Sequence, residues 1–310
     1  MTDYLKTLPQ YLLPQHLLSR LMYLLTRVRW QPWKNWQIRW FIRRYQVDMG
    51  IALQPDPIQY PTFNSFFTRA LHSTARPVVS GAGEIACPVD GTVSQAGKIS
   101  ESTLFQAKGH SYTLERLLGG PVARAAPFKN GRFATLYLAP KDYHRIHMPL
   151  RGQLCDMTYV PGRLFSVNTR TARAVPRLFA RNERVITIFD TEAGPMAVIL
   201  VGALFVGSME TVWEGTITPP YGRSVHTWDY RRQEAGSPII LERGQELGRF
   251  NMGSTVIVLF GPNQMDWDSA ITEDAPTRMG QLLGRLRVIS SHEQQGAVHE
   301  IREIPPTPLC

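Results

Sequence analysis

Beyond residue 76 this chain alternates short apolar runs with glycine and proline. That pattern favours strands joined by turns over long helices. The runs are Val89 to Val93, Phe133 to Leu138, Val185 to Phe189, Ala197 to Val206, Thr211 to Ile217 and Thr255 to Phe260. The longest apolar stretch, Met196 to Val206, is broken by Gly202 and too short to cross a bilayer, so it reads as a buried strand. Helices are expected only at Thr113 to Leu118, Leu164 to Thr171 and Arg278 to Leu286 in this part. The expected class is α+β, a β-rich body preceded by amphipathic N-terminal helices.

The N-terminal segment is different in kind. From His16 to Val28 the residues Leu17, Leu18, Leu21, Met22, Leu25 and Val28 share one helical side, with His16, Arg20 and Arg27 on the other. After Pro32, Trp33, Trp36 and Trp40 recur at helical spacing beside Arg39 and Arg43, and four of the seven tryptophans fall between Trp30 and Trp40. Up to Val47 eight cations face Asp3 alone, so most of the net charge of +9 belongs here. Tryptophan prefers the headgroup layer and arginine meets lipid phosphate, as in a helix lying in the interface. Core helices with solvated arginines would fit this segment alone equally well. No base-reading module follows, so the expected anionic partner is a lipid surface and not nucleic acid. Arg20, Arg27, Trp33, Trp36, Arg39, Trp40 and Arg43 are its expected contacts.

Pro55, Pro57 and Pro61 punctuate a linker, after which Thr62 or Asn64 caps a short helix through Phe67. The expected organisation is a basic, Trp-rich helical region over 1–53, a β-rich domain over 54–262 and a partly flexible C-terminal extension over 263–310. With 43% hydrophobic residues the chain can bury a substantial core. Cys87, Cys155 and Cys310 are too few for a disulfide scaffold and form no C-x-x-C pair, which fits a reducing, cytoplasm-facing compartment. The start lacks the pattern of a secretory signal.

Three places can carry chemistry. Pro88-Val89-Asp90-Gly91 sets an acid at a tight turn, which alone is ordinary turn chemistry. His144 and His147 stand three apart without the partners of a zinc site, leaving acid–base work open to both. Gly253-Ser254 opens the run Thr255 to Phe260. It is either a plain turn before a strand or a self-cleaving bond, in which the serine hydroxyl attacks the unhindered glycine carbonyl. That attack needs a base for the hydroxyl and a donor for the oxyanion.

Met252-Gly253-Ser254-Thr255 closely resembles the Leu-Gly-Ser-Thr signature of the phosphatidylserine decarboxylases, in their bacterial membrane-associated form. Thr62 to Phe67, Pro88 to Ile99, Ala107 to Leu118, Ala139 to Pro149, Tyr159 to Asn168, Leu178 to Val185, Glu210 to Pro220 and Gly244 to Phe260 resemble that family too, in order. Met252 replaces the usual leucine at nearly equal volume, and nothing after about residue 262 is aligned. The resemblance implies a self-processing triad of Asp90, His147 and Ser254. Asp90 orients and charge-stabilises His147, and His147 deprotonates Ser254. Cleavage between Gly253 and Ser254 then leaves chains 1–253 and 254–310 as a heterodimer, with Ser254 converted to a pyruvoyl group. No metal and no pyridoxal phosphate is expected. The pyruvoyl ketone forms a Schiff base with phosphatidylserine and accepts electrons as carbon dioxide leaves. His144 is then the proton donor to the α-carbon, with Ser166 and Thr255 as assisting residues. The partners implied are an anionic phospholipid membrane, the phosphatidylserine substrate and further copies in a homo-oligomer, on the cytoplasmic face of the inner membrane. A serine hydrolase on an intact chain, or a peripheral membrane protein whose Gly-Ser-Thr is only a turn, are the competing readings.

Overall fold

The computed structural model describes residues 2–205, 208–231, 237–253 and 255–287. Helices α1 (Thr2–Thr7), α2 (Gln15–Leu25) and α3 (Gln31–Tyr45) come first, followed by α4 (Phe63–Phe67). Thr62 caps α4 in a reciprocal capping box with Ser65, which settles the expected choice between Thr62 and Asn64. The body opens with β1 (Glu84–Ala86), β2 (Gly91–Lys98), β3 (Thr103–Phe105) and β4 (Ser111–Thr113). Helices α5 (Leu114–Leu118) and α6 (Val122–Ala125) lead to β5 (Arg132–Tyr137), β6 (Arg145–His147) and β7 (Gly152–Val160). Then come α7 (Thr169–Ala174), α8 (Leu178–Arg181), β8 (Arg184–Thr191), β9 (Gly194–Val201), β10 (Met209–Thr211) and β11 (Gly215–Thr218). The chain closes with β12 (His226–Asp229), β13 (Ile240–Leu241), β14 (Glu246–Phe250), β15 (Thr255–Phe260), β16 (Met265–Trp267), β17 (Pro276–Thr277) and β18 (Leu282–Leu286). The class is the expected α+β.

The main sheet is antiparallel and nine-stranded, in the order β12-β7-β8-β9-β15-β5-β2-β17 with β13 also on β7. β15 is its centre. Thr255 to Phe260 pair residue for residue with β9 on one side and β5 on the other, and all six are buried. Both faces are covered, so the strand is apolar from Val256 to Phe260 instead of alternating. A second sheet, β11-β10-β14-β6, carries His147 on β6 opposite Glu246 on β14. Between β14 and β15 the chain leaves one sheet for the other, by way of residues 251–253 among those described. The Gly253–Ser254 bond lies at that crossover.

Three local expectations are corrected. Leu164 to Val167 is not helical, and α7 begins at Thr169 behind the Asn168 cap, because Leu164 and Ser166 donate their N–H groups to Gln15 and Gln10 of the N-terminal region. The run Thr211 to Ile217 is a hairpin, β10 and β11, turning before Gly215. Arg278 to Leu286 is not a helix. Its last five residues form β18, held between β1 and β16, partners about 200 positions upstream and 20 upstream that no local periodicity reports. Residues 265–286, set apart in sequence as an extension beyond 262, therefore supply three strands, one of them in the main sheet. The expected flexible end beyond 287 lies outside the described residues.

α2 docks with its polar residues inward. Gln15 bridges Gln10 O and the Leu164 N–H, and His16 Nε2 donates to Gly162 O at 3.0 Å. Gln15 and Ser19 are buried while Leu17, Leu21 and Leu24 are 65%, 50% and 60% exposed. α3 buries Ile38 and Phe41 against Phe63, Phe66 and Phe67 of α4, and Met252 packs on the same aromatic cluster.

Candidate active site

β6 delivers His147 and the turn before it delivers His144. His147 donates its backbone N–H to Pro88 O at 2.9 Å, which ties β6 to the turn bearing Asp90. Its Nδ1 lies 2.7 Å from Gly244 O. A carbonyl only accepts, so Nδ1 carries the proton and Nε2 the lone pair. Tyr143 Oη, 3.0 Å from Nε2, donates to that lone pair. Burial pushes the His147 pKa below its ordinary value, with Gly244 O, Glu246 and Asp90 pulling the other way. Burial likewise raises the Tyr143 phenol, to about 12.

His144 is fully buried, its ring 4.2 Å from that of Phe67. Nδ1 donates to Asp142 O at 2.8 Å. Nε2 is buried without a hydrogen-bond partner among the described residues. It points at the crossover: a Cβ built on Gly253 would stand 3.2 Å from it. Burial, reinforced by the charge of Arg69, takes the His144 pKa down to about 3, although the bond to Asp142 opposes this. The ring is therefore neutral at pH 7, and its Nε2 lone pair, unpartnered among the described residues, faces Gly253.

Asp90 is buried, and among the described residues its hydrogen bonds go to Arg76 and to the C-terminal segment, not to His147. Arg76 Nε and Nη2 reach Oδ1 and Oδ2 at 2.8 and 2.5 Å, and Met279 N–H donates to Oδ1 at 2.8 Å. The expected direct orientation of the imidazole by Asp90 is not seen; Gly244 O and Tyr143 Oη hold the ring. Asp90 reaches His147 as a charge through space. Gly253 is described, whereas Ser254 lies outside the described residues. Thr255 is fully buried, its Oγ1 without a hydrogen-bond partner among the described residues.

Ser166 sits elsewhere. Its Oγ accepts from Asn168 and its N–H donates to Gln10 Oε1, so its block serves as the docking edge for the N-terminal helices. Of the residues expected to contact lipid, Arg20, Trp36, Arg39, Trp40 and Arg43 are exposed. Trp36, Arg39, Trp40, Arg43 and Arg44 line a surface groove of about 620 Å³. Trp33 is half-buried, stacked on Trp36 and donating to Leu25 O. Arg27 turns inward, its guanidinium 3.6 Å from the Tyr23 ring centre and 3.9 Å from Glu210.

Several contributors carry no local sequence signal. Asn251, two positions before Gly253, is locked by Glu210 Oε1 at 2.7 Å and Asn64 Nδ2 at 2.9 Å, and by Ser208. Arg69 is buried with Nε unpaired among the described residues; its guanidinium makes a 3.4 Å contact to Lys141 O and lies 5.6 Å from the Phe66 ring centre. Arg76, Met279 and Gly244 belong with them. Tyr143 alone had a local signal, four residues before His147. No group of three or more metal-ligating side chains occurs among the described residues.

A family model described as phosphatidylserine decarboxylase matches residues 63–285, and a second, described as PSD, matches residues 5–46. The first match extends beyond residue 262, the point after which no resemblance is expected from the sequence. The phosphatidylserine decarboxylase proenzyme of Nitrosococcus oceani is 56% identical over 284 residues, 92% of this chain and 92% of its own length. That of Ectopseudomonas mendocina is 56% identical over 281 residues, 91% of this chain and 98% of its own. That of Pseudomonas putida strain W619 is 57% identical over 274 residues, 88% and 95% of the two chains.

Proposed function

The chain belongs to the phosphatidylserine decarboxylase family, and from that premise we propose which of its residues carry each step. The overall activity is decarboxylation of phosphatidylserine to phosphatidylethanolamine by a self-cleaved chain. The observation that carries the assignment is the buried Nε2 of His144: it has no hydrogen-bond partner among the described residues, stands 3.2 Å from where a Cβ on Gly253 would be, and belongs to a residue three before His147.

In self-cleavage the Ser254 hydroxyl attacks the Gly253 carbonyl carbon, and the amide bond becomes an ester. His147 is the base. The lone pair that must receive the serine proton is the one to which Tyr143 already donates, so the phenol relays the proton. Asp90 stabilises the resulting imidazolium by its charge. β-Elimination of the ester then frees a carboxylate on Gly253. The two pieces stay together, because β15 is bonded along both edges and β17 and β18 pair with β2 and β1.

The crossover suits a pyruvoyl group derived from Ser254, since His144 Nε2 and Thr255 Oγ1 are buried polar atoms without hydrogen-bond partners among the described residues. Such a group supplies an electron sink for the bond to the departing carbon dioxide. His144 takes a proton at Nε2 and gives it to the α-carbon of the product. A buried imidazolium is a strong acid, so its lowered pKa favours delivery to carbon.

The substrate stays in a bilayer, so the enzyme works at its surface. Among the described residues no helix is long and apolar enough to cross a membrane. The outward leucines of α2 and the outward tryptophans and arginines of α3 form the face that lies on anionic lipid. We place it on the cytoplasmic side of the inner membrane, as a heterodimer of its two cleavage products that assembles into a homo-oligomer.

Denaturing intact-mass measurement of the wild type beside Ser254→Ala tests this reading. Two wild-type chains split after Gly253, the smaller lighter by an ammonia than a serine-started peptide, are expected, with a single chain for the variant. A single wild-type chain labelled at Ser254 by a phosphonate would move the hydrolase reading to the front.

A further inference from the structure

We infer that Arg76 and the Met279–Gly280 segment together are the positioning device of Asp90, so that residues on the far side of the cleavage bond take part in breaking it. This rests on the reading that Asp90 and His147 serve self-cleavage. Three donors meet the carboxylate: Arg76 Nε and Nη2, and the Met279 N–H. Arg76 Nη1 is fixed in turn on Ala75 O at 2.8 Å. A bidentate guanidinium fixes direction as well as distance. A buried pair of this kind adds little net stability, so its contribution is geometric.

The Met279 N–H is itself aimed by a stitched segment. Gly280 N–H donates to Cys87 O at 2.9 Å, Val79 N–H to Gly280 O at 2.9 Å, and Cys87 N–H to Gln281 O at 2.7 Å. Gly280 has φ +86°, and a Cβ there would stand 2.6 Å from Pro77 O and 3.1 Å from its carbonyl carbon. Neither backbone atom can give way, so only glycine threads the gap. The stitched turn also holds His147, whose N–H bonds Pro88 O two residues before Asp90. Base and carboxylate are therefore placed from one turn, and that turn is braced by Arg76 before it and by residues 279–281 from the other cleavage product.

The test follows cleavage of the full-length chain made in a cell-free translation pulse, by denaturing electrophoresis over time. Arg76→Met is expected to slow cleavage at least tenfold. Arg76→Lys, which keeps the charge but not the fork, should recover part of the loss. In an Asp90→Asn chain, adding Arg76→Met should cost nothing more, because the arginine acts through that carboxylate. Wild-type cleavage by Arg76→Met, or losses that multiply in the double variant, would overturn the inference while leaving the wild-type reaction intact. If the wild type itself stays whole, the underlying reading fails instead. Melting of Ser254→Ala with and without Arg76→Met separates positioning from folding. Should the second melt far lower, Arg76→Lys decides, and wild-type cleavage by it counts against the proposal.

Discussion

β15 and α2 are both rich in aliphatic residues, and they use them in opposite directions. All six residues of β15 are buried between β9 and β5. α2 buries Gln15 and Ser19 and turns Leu17, Leu21 and Leu24 outward. The strand follows the ordinary rule that apolar surface leaves water for the core. The helix is held to the body by Gln15 and His16, with Gln10 just before it, on the backbone of residues 162–166, which leaves its apolar side for a second solvent. Hydrophobicity alone therefore does not report the interior. What a helix offers to its own protein can be its polar side, and a contiguous exposed apolar row then calls for a surface to cover it.

The largest effects that sharpen this contrast lie in the body. His147→Ala should slow self-cleavage by about 10²- to 10⁴-fold, the usual cost of losing a positioned base. Tyr143→Phe should follow it with a smaller loss. His144→Ala should still cleave but lose decarboxylation by a similar factor, measured as carbon dioxide release. These losses should be equal on vesicles and on detergent-dispersed lipid, because the histidines act on the reacting atoms. A His144 variant impaired on vesicles alone would break the division between the two regions.

The matching experiment on α2 reverses that pattern. Leu17→Ser, Leu21→Ser and Leu24→Ser together should weaken vesicle binding about 100-fold, from roughly 1 kcal/mol for each half-inserted leucine. Melting temperature should hold, since these side chains are exposed. Leu117→Ser in α5, at a fully buried position, should instead cost about 3 kcal/mol of stability and leave the lipid affinity of the folded fraction unchanged. Sedimentation with vesicles and urea titration distinguish the two.

A smaller effect separates the regions by pH. Unfolded histidine titrates near 6.5, whereas His144 in the fold resists protonation down to about 3. Across that window the unfolded chain holds more protons, so stability is fully present above about 6.5 and falls as the pH falls. The slope reaches at most about 1.4 kcal/mol per pH unit for one such group. His147, also lowered, adds to it in the upper part of the window. Urea midpoints of the Ser254→Ala chain between pH 7 and 4 should show this decline, and His144→Gln should flatten it. An equal slope in both chains would mean that His144 is already solvated.

Much of this was legible before any coordinates. The Thr62 cap, the runs at β5, β8 and β15, the paired histidines and the Gly-Ser bond are local signals, each carried by neighbours in sequence. What escaped depended on distant partners. β18 reads as a helix because its strand partners lie about 20 and about 200 residues upstream and its own five residues show no clear alternation. Arg76 and Met279 meet only on Asp90, and no spacing announces such a meeting. The orientation of α2 escaped for another reason: periodicity shows that a helix has two sides, but the acceptors and donors of residues 162–166 decide which side faces in.

The same logic makes the arginines of α3 the finest probe of the comparison. Arg39 and Arg43 are exposed beside Trp36 and Trp40, and no described carboxylate forms an ion pair with either. A cation near an anionic bilayer contributes about 1 kcal/mol, and salt screens it within a Debye length. Arg39→Gln should thus weaken binding to phosphatidylserine vesicles about fivefold at low salt and hardly at all at 0.5 M salt, a screening regime of a few ångströms. Arg27→Gln should behave differently, since its guanidinium is already spent on Tyr23 and Glu210. Its loss should alter lipid binding little and act instead on the Glu210–Asn251 brace before Gly253, read as slower self-cleavage. Equal salt-sensitive losses at Arg27 and Arg39 would mean that both arginines face lipid, and that the inward turn of the α2 end does not hold on the membrane.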